Sequence, residues 1–547
     1  MKHRTTILIL GTAQFVMVLD STVMNVSISQ VVDDLNTTVS NLQLAITAYT
    51  LVMAAFMLTG AKFGDIWGRR RAFSIGLAVY GVGSLTTALS PNIGWLLFGW
   101  SLVEGLGAVL VIPAIAALTA ANYEGKERAL AFGLLGGIAG AGAAAGPLIG
   151  GFVTTALTWR VVFAAETVVV VTILLFGVKR IKDHPVEQRA ELDRVGAGLS
   201  ALGMGLAVFG ILKISSWGFL KPTGALTIGG TEITPFGLSV VPFLILAGLV
   251  VLGLFARWEH RVEDRGGIPL LRPDLLRVPQ LRAGSSTLMA MYLILAGTFF
   301  VLPLYLQLVL GKDALHTGLK ILPISVAMMI AALAGPRLAT RMSPRRIVEI
   351  GMVFLVFSIL GLMATISPSL ASGWFALSLA GFGAGIGLAI SQLGNVLMSS
   401  VPETRSSEAG GIQGVSQNLG QSLGTALIGA VLLTGLTTGF HSRIINDSNV
   451  PAHVQQQLVQ GTEEGVQMVS KADVQKILDD NHVPPRQADA IVSDYSDAQI
   501  QALKQALFVA ATFVLVGMWF AHALPAEPLS TEGEAEEELG EPEPALA

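Results

Sequence analysis

Gly60 to Arg71 reads GAKFGDIWGRRR, a short cationic loop between two long apolar runs. Charges flanked by chain oily enough to lie in a bilayer belong at a membrane surface, and Lys and Arg in short loops collect on the cytoplasmic side. Arg69, Arg70 and Arg71 are therefore expected in the cytoplasm, which sets the direction of every other segment.

The composition agrees with this placement. Hydrophobic residues make up 52% of the 547-residue chain and charged residues only 13%, with a mean hydropathy of +0.65. A soluble domain carries about 25% charged residues, so the chain reads as an integral membrane protein. The net charge of -4 comes with basic residues scattered among short loops, which gives nucleic acid no continuous patch to bind. Cysteine is absent, which removes disulfides, thiol catalysis and thiolate metal sites. The eight histidines follow no metal-binding spacing, so neither metal nor cofactor is expected. With no Walker sequence or nucleophile triad in view, an enzyme is not expected either. The basic start MKHRTTILIL continues into an apolar run past Val23 without a small-residue cleavage site, and reads as a retained first span.

A crossing needs about 20 mostly apolar residues. On that scale fourteen spans fall near 6–28, 42–62, 72–90, 94–120, 129–155, 160–178, 194–213, 236–256, 283–309, 318–339, 346–367, 373–399, 407–438 and 503–523. The fold class is thus an all-α polytopic membrane protein with both termini cytoplasmic. Lys126, Lys179, Arg180, Arg257, Arg272 and Arg341 all fall on the side of Arg69–Arg71; Arg160, Lys213, Lys221, Lys312 and Lys320 are the exceptions.

A weak internal repeat divides the chain. GPRLATRMSPRR at 335–346 aligns with the opening stretch, Gly60 on Gly335 and Arg70–Arg71 on Arg345–Arg346, but Asp65 falls on Thr340. GLGA at 105–108 has its echo in GIGL at 385–388. Parallel repeats of six spans are a transporter signature, with the substrate between them. The expected divisions are a first six-helix bundle at 1–180, a linker with two extra spans at 181–282, and a second bundle at 283–524. The second bundle holds a polar extracytoplasmic insertion at 440–500, in which Ser470 and Asp473 form a capping box. An acidic tail, 525–547, is expected to be disordered in the cytoplasm.

These motifs together resemble the major facilitator superfamily, in particular its fourteen-span drug:proton antiporter branch. Gly60, Gly64, Asp65, Gly68 and Arg69–Arg71 are similar to that family's loop between spans 2 and 3; LDSTVMNVSI at 19–28 is similar to the branch's Asp-containing motif. Gly142, Gly146, Pro147, Gly150 and Gly151 match its antiporter pattern GxxxGPxxGG. The resemblance implies two six-helix bundles plus two linking helices, alternating access, and a cytoplasmic clasp at Gly60–Arg71 that holds the outward-facing state. In that clasp Asp65 can accept charge-assisted hydrogen bonds from neighbouring arginines. The chain departs from the family in span 4: where relatives show RxxQGxG, it has Ser101 for the Arg and Glu104 for the Gln.

Ionisable residues inside a bilayer are costly and mark function by default. Glu104 is the deepest, about 15 Å along its span; Asp20 and Glu166 lie in the outer halves of spans 1 and 6. All three belong to the first bundle, so proton coupling is expected there. Tyr305, Gln307, Gln392, Asn395, Gln417 and Asn418 are candidate cavity polar groups, with interhelical hydrogen bonding as the competing reading. The function expected is proton-driven export of amphipathic drugs or other hydrophobic or cationic small molecules by a monomer. A narrow-substrate metabolite or lipid exporter and a non-transporting sensor or scaffold are the alternatives.

Overall fold

In hydrocarbon each backbone N–H and C=O must find a partner within the chain, so apolar runs of this length fold as helices. The computed structural model describes residues 4–123, 125–182, 192–222, 226–228, 231–272, 274–339, 341–368, 370, 372–401, 406–462 and 465–526. The long helices are α1 (Arg4–Val26), α2 (Val39–Trp67), α3 (Arg69–Ala88), α4 (Ile93–Asn122), α5 (Gly125–Ala156), α6 (Arg160–Arg180) and α7 (Arg194–Leu212). They continue as α8 (Val241–Asp264), α9 (Pro279–Val309), α10 (Ala314–Ala339), α11 (Pro344–Thr365), α12 (Ser372–Ser399), α13 (Ser406–Asn446) and α14 (Pro485–Ala521). Among the described residues, 13 helices are long and apolar enough to cross a membrane. The remaining one is α3: its 20 residues give about 30 Å of helix, but Arg69–Arg71 lower its apolar character. The expected count of fourteen therefore rests on taking α3 as a crossing.

The stretch expected as a loop, Gly60–Arg71, is almost wholly helical. α2 runs to Trp67 and α3 starts at Arg69. Only Gly68 breaks the path, at φ +91°, a conformation that disfavours any side chain.

Helices α7 and α8 pair with each other, and α7 lies against α2. A small hairpin that the sequence reading did not anticipate, β1 (Leu226–Ile228) antiparallel to β2 (Thr231–Ile233), lies between them in sequence. The first six and last six helices meet along α2–α13 and α5–α10. The ends of the molecule are named here by what they carry, the arginine end and the insertion end. Among the described residues, hydrogen bonds between the two sets lie from mid-seam toward the insertion end. Gln43 Nε2 donates to Thr425 O at 2.8 Å and Ser422 Oγ to Thr47 O at 3.1 Å. Leu315 N donates to Thr155 Oγ1 at 3.1 Å, and Ser325 Oγ to Ala143 O at 3.3 Å. Toward the arginine end the α2–α13 seam is apolar, Met57 and Leu58 lying over Gly414 and Gly411.

The insertion is built on its neighbours. α13 and α14, of 41 and 37 residues, run far past the about 20 residues a crossing needs, and so enter the region 440–500 from both sides. Between them lie helices Ala452–Gly461 and Lys471–Asp480, the second opened by the expected capping box, with Asp473 N donating to Ser470 Oγ at 3.2 Å. Tyr495 OH and Gln499 Nε2 bind the connecting segment, donating to Gln467 O and Val469 O at 2.7 and 2.8 Å. Of the tail, residues 527–547 lie outside the described residues.

Two cations that broke the charge asymmetry have local reasons to be there. Arg160 pairs with Asp34 and donates to Ser90 O at 2.8 Å. Lys213 stands over the rings of Trp217 and Phe209, 5.2 and 5.8 Å from their centroids.

Candidate functional site

Helices α1, α4 and α6 each bring one acid to the same place. Asp20, Glu104 and Glu166 are 0%, 0% and 3% exposed, and one carboxylate oxygen from each lies within 4.8 Å of the other two. Three acids 62 or more positions apart in the chain thus form one cluster inside the first six helices.

Local sequence explains the convergence. Leu97–Glu104 is a π-helical stretch, whose wider turn ends on Glu104. Glycines then let α3 touch α4 backbone to backbone: a Cβ on Gly83 would lie 2.5 Å from Glu104 N, and one on Gly107 only 2.6 Å from Tyr80 Cα. That approach carries Tyr80 and Ser84 over the acids. Tyr80 OH donates to Glu166 Oε2 at 3.4 Å and Ser84 Oγ to the same oxygen at 3.2 Å. Trp100 Nε1 donates to Asp20 Oδ1 at 2.9 Å, its ring stacked on Tyr49 at 4.8 Å.

The remaining oxygens of the cluster, Asp20 Oδ2, Glu104 Oε1 and Oε2, and Glu166 Oε1, have no hydrogen-bond partner among the described residues. Nor does a cationic side chain pair with any of the three acids there. An ionised carboxylate buried without a partner is destabilised by several kcal/mol, and like charges this close repel. Positive charge at its centre, as protons or as a small cation, would stabilise such a cluster. Glu104 was read as the principal acid near the midplane with the others as helpers; in the structure the three are equals in burial and position.

Trp100, Tyr49, Tyr80 and Ser84 were not singled out in the sequence. A signal was present: Trp100 stands four residues before Glu104, and Tyr80 four before Ser84, so each pair shares a helix face.

The antiporter-pattern helix uses two faces. Gly142, Gly146 and Gly150 lie against α1 at Phe15–Val18, Leu19–Thr22 and Val23, whereas Gly151 meets the backbone of Ala314 on α10. Pro147 stays within the helix, its carbonyl close to Gly318 of α10.

At the arginine end, Gly60 lies against Val109 of α4, whereas Gly64 faces open space. Arg69 Nη1 donates to Ala117 O at 3.2 Å and Arg70 Nη1 to Ile181 O at 3.3 Å. Among the described residues Asp65 accepts no hydrogen bond from Arg69, Arg70 or Arg71 in this conformation. The two arginines reach carbonyls near the chain ends of α4 and α6, where the helix dipole favours cations.

The candidate cavity residues separate. Tyr305 OH donates to Ser367 O at 2.7 Å, and Gln307 uses both ends of its amide, Nε2 donating to Val26 O at the end of α1 at 2.6 Å and Oε1 accepting from Ser29 Oγ of the short helix Ile28–Asp34 at 2.6 Å. Both bonds are of the kind that the competing reading, hydrogen bonding between segments, describes. Asn418 donates within its own helix to Gly414 O, Gln392 is buried with Oε1 unpartnered, Asn395 is exposed and Gln417 half-buried.

The family model described as Major Facilitator Superfamily matches residues 10–425. The chain is 30% identical over 431 residues to the probable actinorhodin transporter of Streptomyces coelicolor, covering 77% of this chain and 71% of that protein. It is 26% identical over 524 residues to the multidrug resistance protein Stp of Mycobacterium tuberculosis, covering 94% and 91%. Among solved structures, a bacterial homolog of the human lysosomal transporter Spinster superposes with a TM-score of 0.57 at 15% identity, covering 95% of this chain and 97% of that one. With its many membrane-crossing helices, and a family match spanning most of its length, this chain is a multi-pass membrane transporter, not an enzyme, and belongs to the Major Facilitator Superfamily.

Proposed function

We propose that the protein exports amphipathic, drug-like molecules in exchange for protons by alternating access. It would work as a monomer in the cell membrane, with both termini cytoplasmic and α3 as its fourteenth crossing. The observation that carries the reading is the buried Asp20–Glu104–Glu166 cluster, which has oxygens to spare and no cationic partner among the described residues. Similarity to proteins named for antibiotic transport and multidrug resistance supports the cargo class.

In this reading the trio takes protons from outside and gives them up inside as the two sets of helices rock. Proton entry along about 100 mV supplies roughly 2.3 kcal/mol per proton before any pH gradient. Asp65 would engage its neighbouring arginines as a clasp in the opposite state. No metal or cofactor is part of this scheme.

The test is reconstitution in proteoliposomes with an imposed pH gradient and ethidium, a fluorescent amphipathic cation, as cargo. Gradient-driven movement is expected in the wild type and lost in Glu104→Gln. Wild-type rates in that variant would overturn the assignment; movement driven by sodium alone would replace the proton with a sodium ion.

A further inference from the structure

A second feature lies outside the acid cluster, at the insertion end. A groove of about 750 Å³ opens between α13 and α14 beside the end of α11. Its α14 wall is one helical stripe, Gln501, Lys504, Gln505, Phe508 and Val509, at the i, i+3, i+4, i+7, i+8 spacing that shares a face. The wall changes character along its length. Phe508, 56% exposed, faces Met363 and Val431 at the lower part, whereas Lys504, Arg443 and Asp497 occupy the upper part.

Depth gives this division a meaning. Lys504 stands 17 residues before the end of α14 at Ala521, about 26 Å of helix, and the hydrocarbon layer is about 30 Å thick. Counted from that end, the Lys504 backbone lies just inside the edge of the layer, from which its long side chain can snorkel to the lipid phosphates, and Phe508 stands one helical turn deeper, at acyl-chain depth. Arg443 is held by Asp497 at 3.5 Å and by Gln501 Oε1 at 3.2 Å, yet its Nε is buried without a hydrogen-bond partner. Among the described residues no carboxylate lies within ion-pair distance of Lys504. This end of the molecule is otherwise poor in lysine and arginine in its short loops.

We propose that this groove binds an anionic phospholipid from the leaflet at the insertion end. The phosphate sits at Lys504 and Arg443, one acyl chain lies along Phe508, Val509 and Met363, and headgroup hydroxyls meet Gln501, Gln505 and Asp497. A basic residue at headgroup depth attracts anionic lipid, and the apolar wall below it selects a lipid over a free anion.

The experiment uses the full-length protein, delipidated in mild detergent and titrated with phosphatidylglycerol or phosphatidylcholine under native mass spectrometry. Wild type is expected to bind its first phosphatidylglycerol at least about fivefold more tightly than phosphatidylcholine, the scale of one interfacial cation. Lys504→Gln should remove that preference and Lys504→Arg keep it, with thermal unfolding confirming that both fold. In the Phe508→Trp variant, which retains both cations, phosphatidylglycerol with brominated chains should quench an added emission component that the wild type, with its eight native tryptophans, lacks. Equal affinity for the two lipids in the wild type, an unchanged preference in folded Lys504→Gln, or absence of quenching would each overturn the proposal. So would glycerol phosphate binding as tightly as the lipid, since the ligand would then be the free anion. If Lys504→Gln does not fold, the quenching arm decides.

Discussion

Helices α4 and α12 hold the same place in the two sets of six, and comparing them separates scaffold from chemistry. Both press glycines against neighbouring helices: Gly105 and Gly107 against α2 and α3, Gly385 and Gly387 against α11 and α10. One residue before the shared motif, however, α4 carries Glu104 and α12 carries Ala384. The packing device is duplicated and the ionisable group is not. The last six helices instead contribute amides and hydroxyls to the seam, such as Gln307, Ser325 and Ser422. Glycine packing is thus common to both sets of helices, whereas the buried acid trio lies in one of them.

The largest expected effect comes from moving the charge. Glu104→Gln should cut the accumulation of an uncharged cargo driven by about 100 mV some fiftyfold, the worth of one proton. Adding Ala384→Glu to that variant should not restore it in proteoliposome assays. If it does, the two sets are interchangeable and the comparison fails.

Next come the glycines. Gly107→Val and Gly387→Val should each lower stability by about 1–3 kcal/mol through overpacking, read by thermal unfolding in detergent. Only Gly107→Val should also lower coupled transport per folded molecule, because Gly107 lies against Tyr80 beside the acids.

A comparable effect is expected at the insertion-end seam. Gln307→Ala leaves Val26 O and the Ser29 hydroxyl without their partner, a loss of about 1–3 kcal/mol. The natural chain has no cysteine, so a single Thr425→Cys can report opening by its rate of thiol labelling. That rate should rise in Gln307→Ala and stay level in Asn395→Ala, whose side chain is exposed.

The smallest change is one hydrogen bond in each set. Trp100→Phe and Tyr305→Phe should each cost about 1 kcal/mol, but only Trp100→Phe should alter the pH profile of transport, since Trp100 donates to Asp20.

Much of this division was legible in the sequence because hydrophobicity and charge report directly on the bilayer. Apolar runs of 20 or so residues located the long helices, and the burial of Asp20, Glu104 and Glu166 followed from their positions within those runs. Their convergence was not legible. It depends on which faces α1, α4 and α6 turn toward one another, which a π-helical turn ending at Glu104 shifts away from regular periodicity. Charge was also misleading where it lay within helices. Lys62 and Arg69–Arg71 suggested a loop, yet all four lie within helices, which only Gly68 separates. Likewise, the amide of Gln307 looked available for cargo because sequence does not show that α1 ends beside it.

That single residue, Gly68, has a mechanical meaning. It joins α2, which lies along α13 across the seam, to α3, which carries Tyr80 and Ser84 to the acids. A corner one residue long contains no slack, so a displacement of the end of α2 is delivered to the start of α3. The same α2 bears Tyr49, stacked on the tryptophan that binds Asp20. The seam between the two sets is thus joined to the carboxylates by two short routes, one through the Gly68 corner and α3, the other through Tyr49 and Trp100.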